Sequence, residues 1–168
     1  MPNPRINSCA RRAISPPPMT LPQNLKLQPD VLLESFETIG DWTAGSGSVA
    51  DNTTQYKQGS HSVKLTTVSG GLGQMTKTIS MTGLGNYEFF EVWVYQHDAR
   101  TSYSSIKFLI SSTTDFSKNF SYTIQTGTTL WTWPISGIWS LYRIPIFQMT
   151  NTGSESWSNT MIRIRFEL

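Results

Sequence analysis

The sequence predicts an all-β protein, either a two-sheet sandwich or a barrel, on three observations. Charged residues are sparse, at 14%, whereas aromatics reach 12% with six Trp, and aromatic and β-branched side chains fit a pleated surface. Long runs of Ala, Leu, Glu and Lys, which would propagate helices, are absent. From Val31 onward, eight or nine short apolar runs alternate with Gly- and Asn-containing turn signals, the spacing of a small β domain. A chain of 168 residues suits one such domain with a core of its own.

Residues 1–30 read as an arm outside that domain. They hold seven of the nine prolines, and proline lacks the N–H a ladder needs while favouring extended chain. Ile6, Ile14, Met19, Leu21, Leu25 and Leu27 recur there without helical or strand period. Arg5, Arg11, Arg12 and Lys26 give residues 1–29 a charge of +4, while the remainder carries −2. An extended, basic chain dotted with apolar residues suits a tether laid along another protein. Its expected contacts are Arg5, Arg11, Arg12, Ile14, Met19 and Leu21.

Residues 31–168 form the expected domain. Strands are predicted near 31–37, 47–51, 61–67, 74–81, 87–97, 104–112, 118–125, 138–146 and 160–167. Between them stand turn signals such as Gly45-Ser46-Gly47, Gly59-Ser60, Gly70-Gly71, Gly83-Leu84-Gly85-Asn86 and Asn151-Thr152-Gly153. Three runs have a clear inner face: Ile106, Phe108, Ile110; Phe120, Tyr122, Ile124; and Ile162, Ile164, Phe166. Each buries three large side chains at roughly 1.5–3 kcal/mol apiece.

The run Glu91-Val92-Trp93-Val94-Tyr95-Gln96-His97 differs, because both of its faces carry large side chains. Alternation sends Phe90, Val92 and Val94 one way and Glu91, Trp93, Tyr95 and His97 the other. The second set pairs flat rings with a carboxylate and an imidazole, as a contact surface does. Sugars present apolar C–H faces ringed by hydroxyls, so such a set suits a glycan. A neighbouring subunit covering the same face is the plainer reading. Trp131 and Trp133, in the 126–137 connection, make a second candidate patch.

Several function classes are excluded. Cys9 is the single cysteine, which allows no disulfide within the chain and no zinc site built on thiolates. No apolar run of ~7–15 residues follows Met1, so a secretory signal is not expected. No stretch approaches the ~18 apolar residues of a membrane span. His61 and His97 are the only imidazoles, and neither a Gly-x-Ser-x-Gly elbow nor a His-Glu-x-x-His helix is present. Glu88 and Glu91 fall on opposite faces of one strand, so they cannot pair for glycoside hydrolysis. No catalytic residue is expected. The Arg11-Arg12 pair is too small a cluster for nucleic acid.

Five segments resemble a known family. Val31-Leu32-Leu33-Glu34-Ser35-Phe36-Glu37 with Asp41-Trp42 is similar to the opening of galactose-binding-like jelly rolls. Tyr56-Lys57-Gln58-Gly59-Ser60-His61-Ser62-Val63-Lys64-Leu65 resembles their Gly-Ser turn and the strand after it. Phe90 to Tyr95, Trp139-Ser140-Leu141-Tyr142-Arg143-Ile144-Pro145 and Trp157-Ser158-Asn159-Thr160-Met161-Ile162-Arg163-Ile164-Arg165-Phe166 complete the set in order. The resemblance covers about 31–168. It implies a jelly-roll β-sandwich of the carbohydrate-binding-module type, found beside glycan-active enzymes and in bacteriophage virion proteins.

Further expectations follow from that resemblance. No cofactor is implied beyond a candidate structural Ca²⁺, held by Glu37, Asp51 and the backbone at Gly59-Ser60. If the strands align as in the family, Lys107, Asn119 and Arg163 flank Trp93, and Arg165 offers a fork to an acidic sugar. The expected carbohydrate-binding set is Glu91, Trp93, Tyr95, His97, Arg163, Arg165, Trp131 and Trp133. The chain is expected to be a non-catalytic bacteriophage protein on the virion surface: a capsid decoration protein, head fibre or tail attachment piece. The arm would dock on other virion proteins, the sandwich would face host surface glycans, and a homo-oligomer, such as a trimer, would fit. A purely structural oligomer and an accessory module of a polysaccharide-active enzyme are the alternatives.

Overall fold

A computed structural model describes residues 32–68, 72–95, 105–125 and 137–168. The 1–30 arm, with Arg5, Arg11, Arg12, Ile14, Met19 and Leu21, lies outside the described residues, as do His97, Trp131 and Trp133. The protein is all-β. Its strands are β1 (Trp42–Ser46), β2 (Ser48–Asn52), β3 (Ser62–Thr66), β4 (Gln74–Met81), β5 (Phe89–Tyr95), β6 (Ser105–Ser111), β7 (Asn119–Gln125), β8 (Trp139–Pro145), β9 (Thr150–Thr152) and β10 (Met161–Glu167). The described helical turns are three single 3₁₀ turns.

One layer is a six-stranded antiparallel sheet in the order β1-β4-β10-β6-β7-β9. The other consists of two separate antiparallel pairs, β2–β3 and β5–β8. Alternation explains how they meet. Ile106, Phe108 and Ile110 of β6 are buried, as are Phe120 and Ile124 of β7, with Tyr122 half-buried beside them. Val49, Val63, Leu65, Phe90 and Val92 pack down on this floor from the opposite layer.

Three expectations about strands need correction. Residues 32–38 form no strand. The Glu34 carboxylate accepts the Phe36 N–H at 2.8 Å and pairs with Lys77, so a side chain takes the place of a ladder partner. Phe36 turns to φ 61°, and its ring stacks on Trp42 at 5.3 Å. β1 occupies Trp42–Ser46, where Gly and Ser read as a turn; its partner β4 supplies the ladder. Gly47 then ends it at φ +79°, where a Cβ would lie 2.2 Å from the Thr66 carbonyl oxygen. Finally, the register of β10 shifts between Met161 and Arg163. This bulge puts Met161, not Ile162, into the core at 0% exposure.

A buried carboxylate braces one end of the sandwich. Glu155, 4% exposed, accepts the Ser112 N–H at 2.9 Å, the Ser156 N–H at 3.0 Å and the Asn159 amide at 2.9 Å, besides the Ser112 hydroxyl. Burial by itself would raise its pKa, but the donors of Ser112, Asn159 and Ser156 together hold it below the ordinary 4.5. A depressed folded-state pKa stabilises above the unfolded value and is lost as pH falls through the folded one. Thermal melts from pH 7 to pH 2 should therefore show a loss of Tm beginning below about pH 4.5 that is smaller in Glu155→Gln. Glu155→Ala should cost about 1–3 kcal/mol at neutral pH by leaving these donors unpaired.

Candidate functional site

The face singled out in the sequence is the outer surface of β5 and β8. Phe90, Val92 and Val94 point inward onto the two core clusters, so Phe89, Glu91, Trp93 and Tyr95 point out. The register sets Arg143 opposite Glu91, Leu141 opposite Trp93 and Trp139 opposite Tyr95. Phe89 and Trp93 are each 43% exposed. Tyr95 and Trp139 are half-buried and lie against each other at 5.5 Å between ring centroids. Arg143 Nε donates to Glu91 Oε1 at 2.5 Å, tying the two strands in the middle of this aromatic row.

Beside the row runs a cleft of about 650 Å³. It lies between β3 and β5, which do not pair with each other. Met75, Ile106 and Phe166 of the six-stranded sheet line it, with Ser62, Lys64 and Trp93 on its flanks. Lys57, on the connection between β2 and β3, reaches over Trp93 with its Nζ 4.1 Å from the ring centroid. Flat rings, hydrogen-bonding groups and a groove are thus gathered in one place. Stacking and hydrogen bonding are what such an arrangement can supply.

The arginines expected to join this face do not. Strand order places β10 between β4 and β6, and with Ile164 and Phe166 buried inward, Arg163 and Arg165 project from the far side of the sandwich. Arg165 donates to Thr76 Oγ1 at 3.1 Å, lies 3.5 Å from Glu167 and covers the Phe116 ring at 3.9 Å. Arg163 Nε is buried without a hydrogen-bond partner. Lys107 and Asn119 sit in the same distant sheet, where Asn119 is buried and bonded to the Phe116 carbonyl at 2.8 Å. Alternation within a strand is local, but which strands adjoin is not.

The calcium expectation divides in the same way. Glu37 lies against the Gly59-Ser60 turn, its Oε2 accepting the Ser60 N–H at 3.1 Å while Oε1 is buried without a partner. Asp51 is instead held by His61 Nδ1 at 2.9 Å. No group of three His, Cys, Asp or Glu side chains gathers among the described residues. Of the expected ligands, Glu37 thus meets the Gly59-Ser60 backbone, while the Asp51 carboxylate is engaged by His61.

Sequence reasoning missed Lys57, Trp139, Leu141 and Arg143 as parts of the site. Pairing β8 with β5 would have found the last three, since all share one face. Lys57 lies in a connection, and no periodicity marks it.

Gly59 is the residue on which the Glu37 turn depends. It adopts φ +72°, and a Cβ there would lie 2.2 Å from Glu37 Oε1. Gly59→Ala should cost about 1–3 kcal/mol through backbone strain and displacement of that carboxylate, read as a lower denaturation midpoint in urea. Gly40→Ala, with nothing within 4 Å of the added Cβ, is the control expected to change little.

No protein-family model and no curated protein matches this chain. Among solved structures it is similar to a family 11 carbohydrate-binding module from Clostridium thermocellum, determined in complex with a β-1,3-1,4-mixed-linked tetrasaccharide. The match has a TM-score of 0.53 at 17% identity and covers 80% of this chain and 83% of that one. At that identity the likeness speaks to fold, and the fold is a jelly-roll β-sandwich.

Proposed function

We propose that this chain is a non-catalytic glycan-binding module whose site is the outer face of β5 and β8 with the adjoining cleft. The observation that carries the reading is the outward-facing row of exposed Trp93 with half-buried Tyr95 and Trp139, beside a groove edged with polar side chains. The jelly-roll likeness to a module solved with an oligosaccharide supports it. Trp93 is the main stacking platform, with Tyr95 and Trp139 extending it along the strands. Glu91 and Arg143 offer hydrogen bonds between the rings.

The finer part of the proposal places the module on the surface of a bacteriophage particle, anchored by residues 1–30. Its support is compositional: a +4, proline-rich segment dotted with apolar residues precedes a binding-type sandwich. The likeness to a carbohydrate-binding module favours a second reading, an accessory module of a polysaccharide-active enzyme. In that setting the same face would hold the polymer near a catalytic domain.

Titration of the full chain with mixed-linked β-glucan and bacterial surface polysaccharides tests the shared core of both readings. Saturable binding that falls about tenfold or more in Trp93→Ala, the equivalent of about 1.4 kcal/mol, is the expected result. No binding to any polymer, together with a concentration-dependent mass that Trp93→Ala abolishes, would make the aromatic row a subunit interface. Deleting residues 1–30 separates the two settings. Virion display predicts a truncated chain that keeps its melting transition and is lost from purified particles.

A further inference from the structure

The ring best placed to stack a sugar is already covered by a cation. Lys57 crosses the mouth of the cleft to put its ammonium 4.1 Å from the Trp93 centroid. Lys64 of β3 lines the same cleft. Of the acids lining the cleft, Glu91 is paired with Arg143 and Glu34 with Lys77, while Glu37 lies beneath the Gly59-Ser60 turn, accepting the Ser60 N–H. Among the described residues, neither Lys57 nor Lys64 has a carboxylate within ion-pair distance, so two ammonium groups without an acidic partner line the cleft.

This arrangement discriminates between kinds of sugar. A neutral ring stacking on the covered side of Trp93 must displace the ammonium, losing the cation–π contact without replacing it. A sugar bearing a carboxylate displaces the same ammonium but gives it a charged partner at once. We infer that the site selects acidic polysaccharides, polymers whose repeating sugars carry carboxylates. Trp93 stacks the sugar, Lys57 moves from the ring to the sugar carboxylate, and Lys64 adds attraction along the groove. The inference rests on the glycan-binding reading above and assigns a ligand class to that site.

The test uses the full chain with polygalacturonate and alginate, each beside its own carboxyl-reduced form, and mixed-linked β-glucan as a neutral polymer. Wild type, Trp93→Ala and Lys57→Gln are compared, with melts confirming that both exposed substitutions leave the fold intact. Tighter binding to the acidic form of each pair is expected, weakening as NaCl rises from about 20 to about 300 mM. Lys57→Gln should lose roughly threefold to fivefold on the acidic polymers and bind the neutral one as well as or better than wild type, because no ammonium has to be displaced; Trp93→Ala should lose binding altogether. Equal binding to acidic and reduced forms, still dependent on Trp93, overturns the acidic preference and leaves the glycan reading standing. Acidic binding that survives Trp93→Ala is charge attraction away from this site and also overturns the inference. Binding to none of the polymers removes the glycan reading, and the inference with it.

Discussion

The constraint on which the rest of the structure depends is a chain of aromatic rings through the core. Trp42, Phe36, Phe166, Phe108, Phe90, Trp157 and Phe120 follow one another with centroid separations between 3.7 and 6.2 Å. These rings come from β1, the segment before it, β10, β6, β5, the turn before β10 and β7. No two neighbours in the chain belong to the same strand, so the contacts are tertiary throughout. Aromatic pairs add about 0.5–1.5 kcal/mol each beyond the area they bury. With charged residues at only 14%, surface ion pairs could not substitute for this core.

The candidate site is the reverse side of that constraint. Phe90 is committed inward, onto Phe108 and Trp157, so alternation obliges Glu91, Trp93 and Tyr95 to face out. Because the second layer is two separate pairs rather than one sheet, a cleft opens between β3 and β5 down to the core. Lys57 spans the opening from the β2–β3 connection. The groove and its cover are thus products of an incomplete layer, while the row of rings follows from the unbroken β5–β8 ladder within it.

Where ladder pairing stops, carboxylates take over. Glu34 satisfies the Phe36 N–H and meets Lys77, whose ammonium also contacts Asp41 at 3.1 Å. Burial lowers the lysine's pKa, but the two acids outweigh it and hold it above its ordinary value. Glu155 performs a like task between β6 and the β9–β10 connection, as does Glu37 beneath the Gly59-Ser60 turn. Glu155 and Glu37 join segments distant in sequence by accepting N–H groups that no strand reaches, and Glu34 does so through its ion pair with Lys77; a buried donor without a partner is costly.

Much of the fold was legible in the chain itself. Periodicity of two, β-branched and aromatic enrichment and glycine punctuation are local properties, and they located most strands and the inner faces of β6 and β7. They also identified Trp93 and Tyr95 as outward residues, because alternation needs no knowledge of neighbours. What failed was whatever depended on a partner. The opening segment read as a strand, but Glu34 and Phe36 satisfy it by side-chain contacts. β1 read as a turn, yet β4 gives it a ladder. Arg163 and Arg165 alternate outward as expected, but from the other sheet. Sequence alone determined which residues point in and which point out within β5, β6 and β7. Only the tertiary structure decided which outward faces share a surface, because strand order, the β10 bulge and the reach of Lys57 are set by contacts between distant segments.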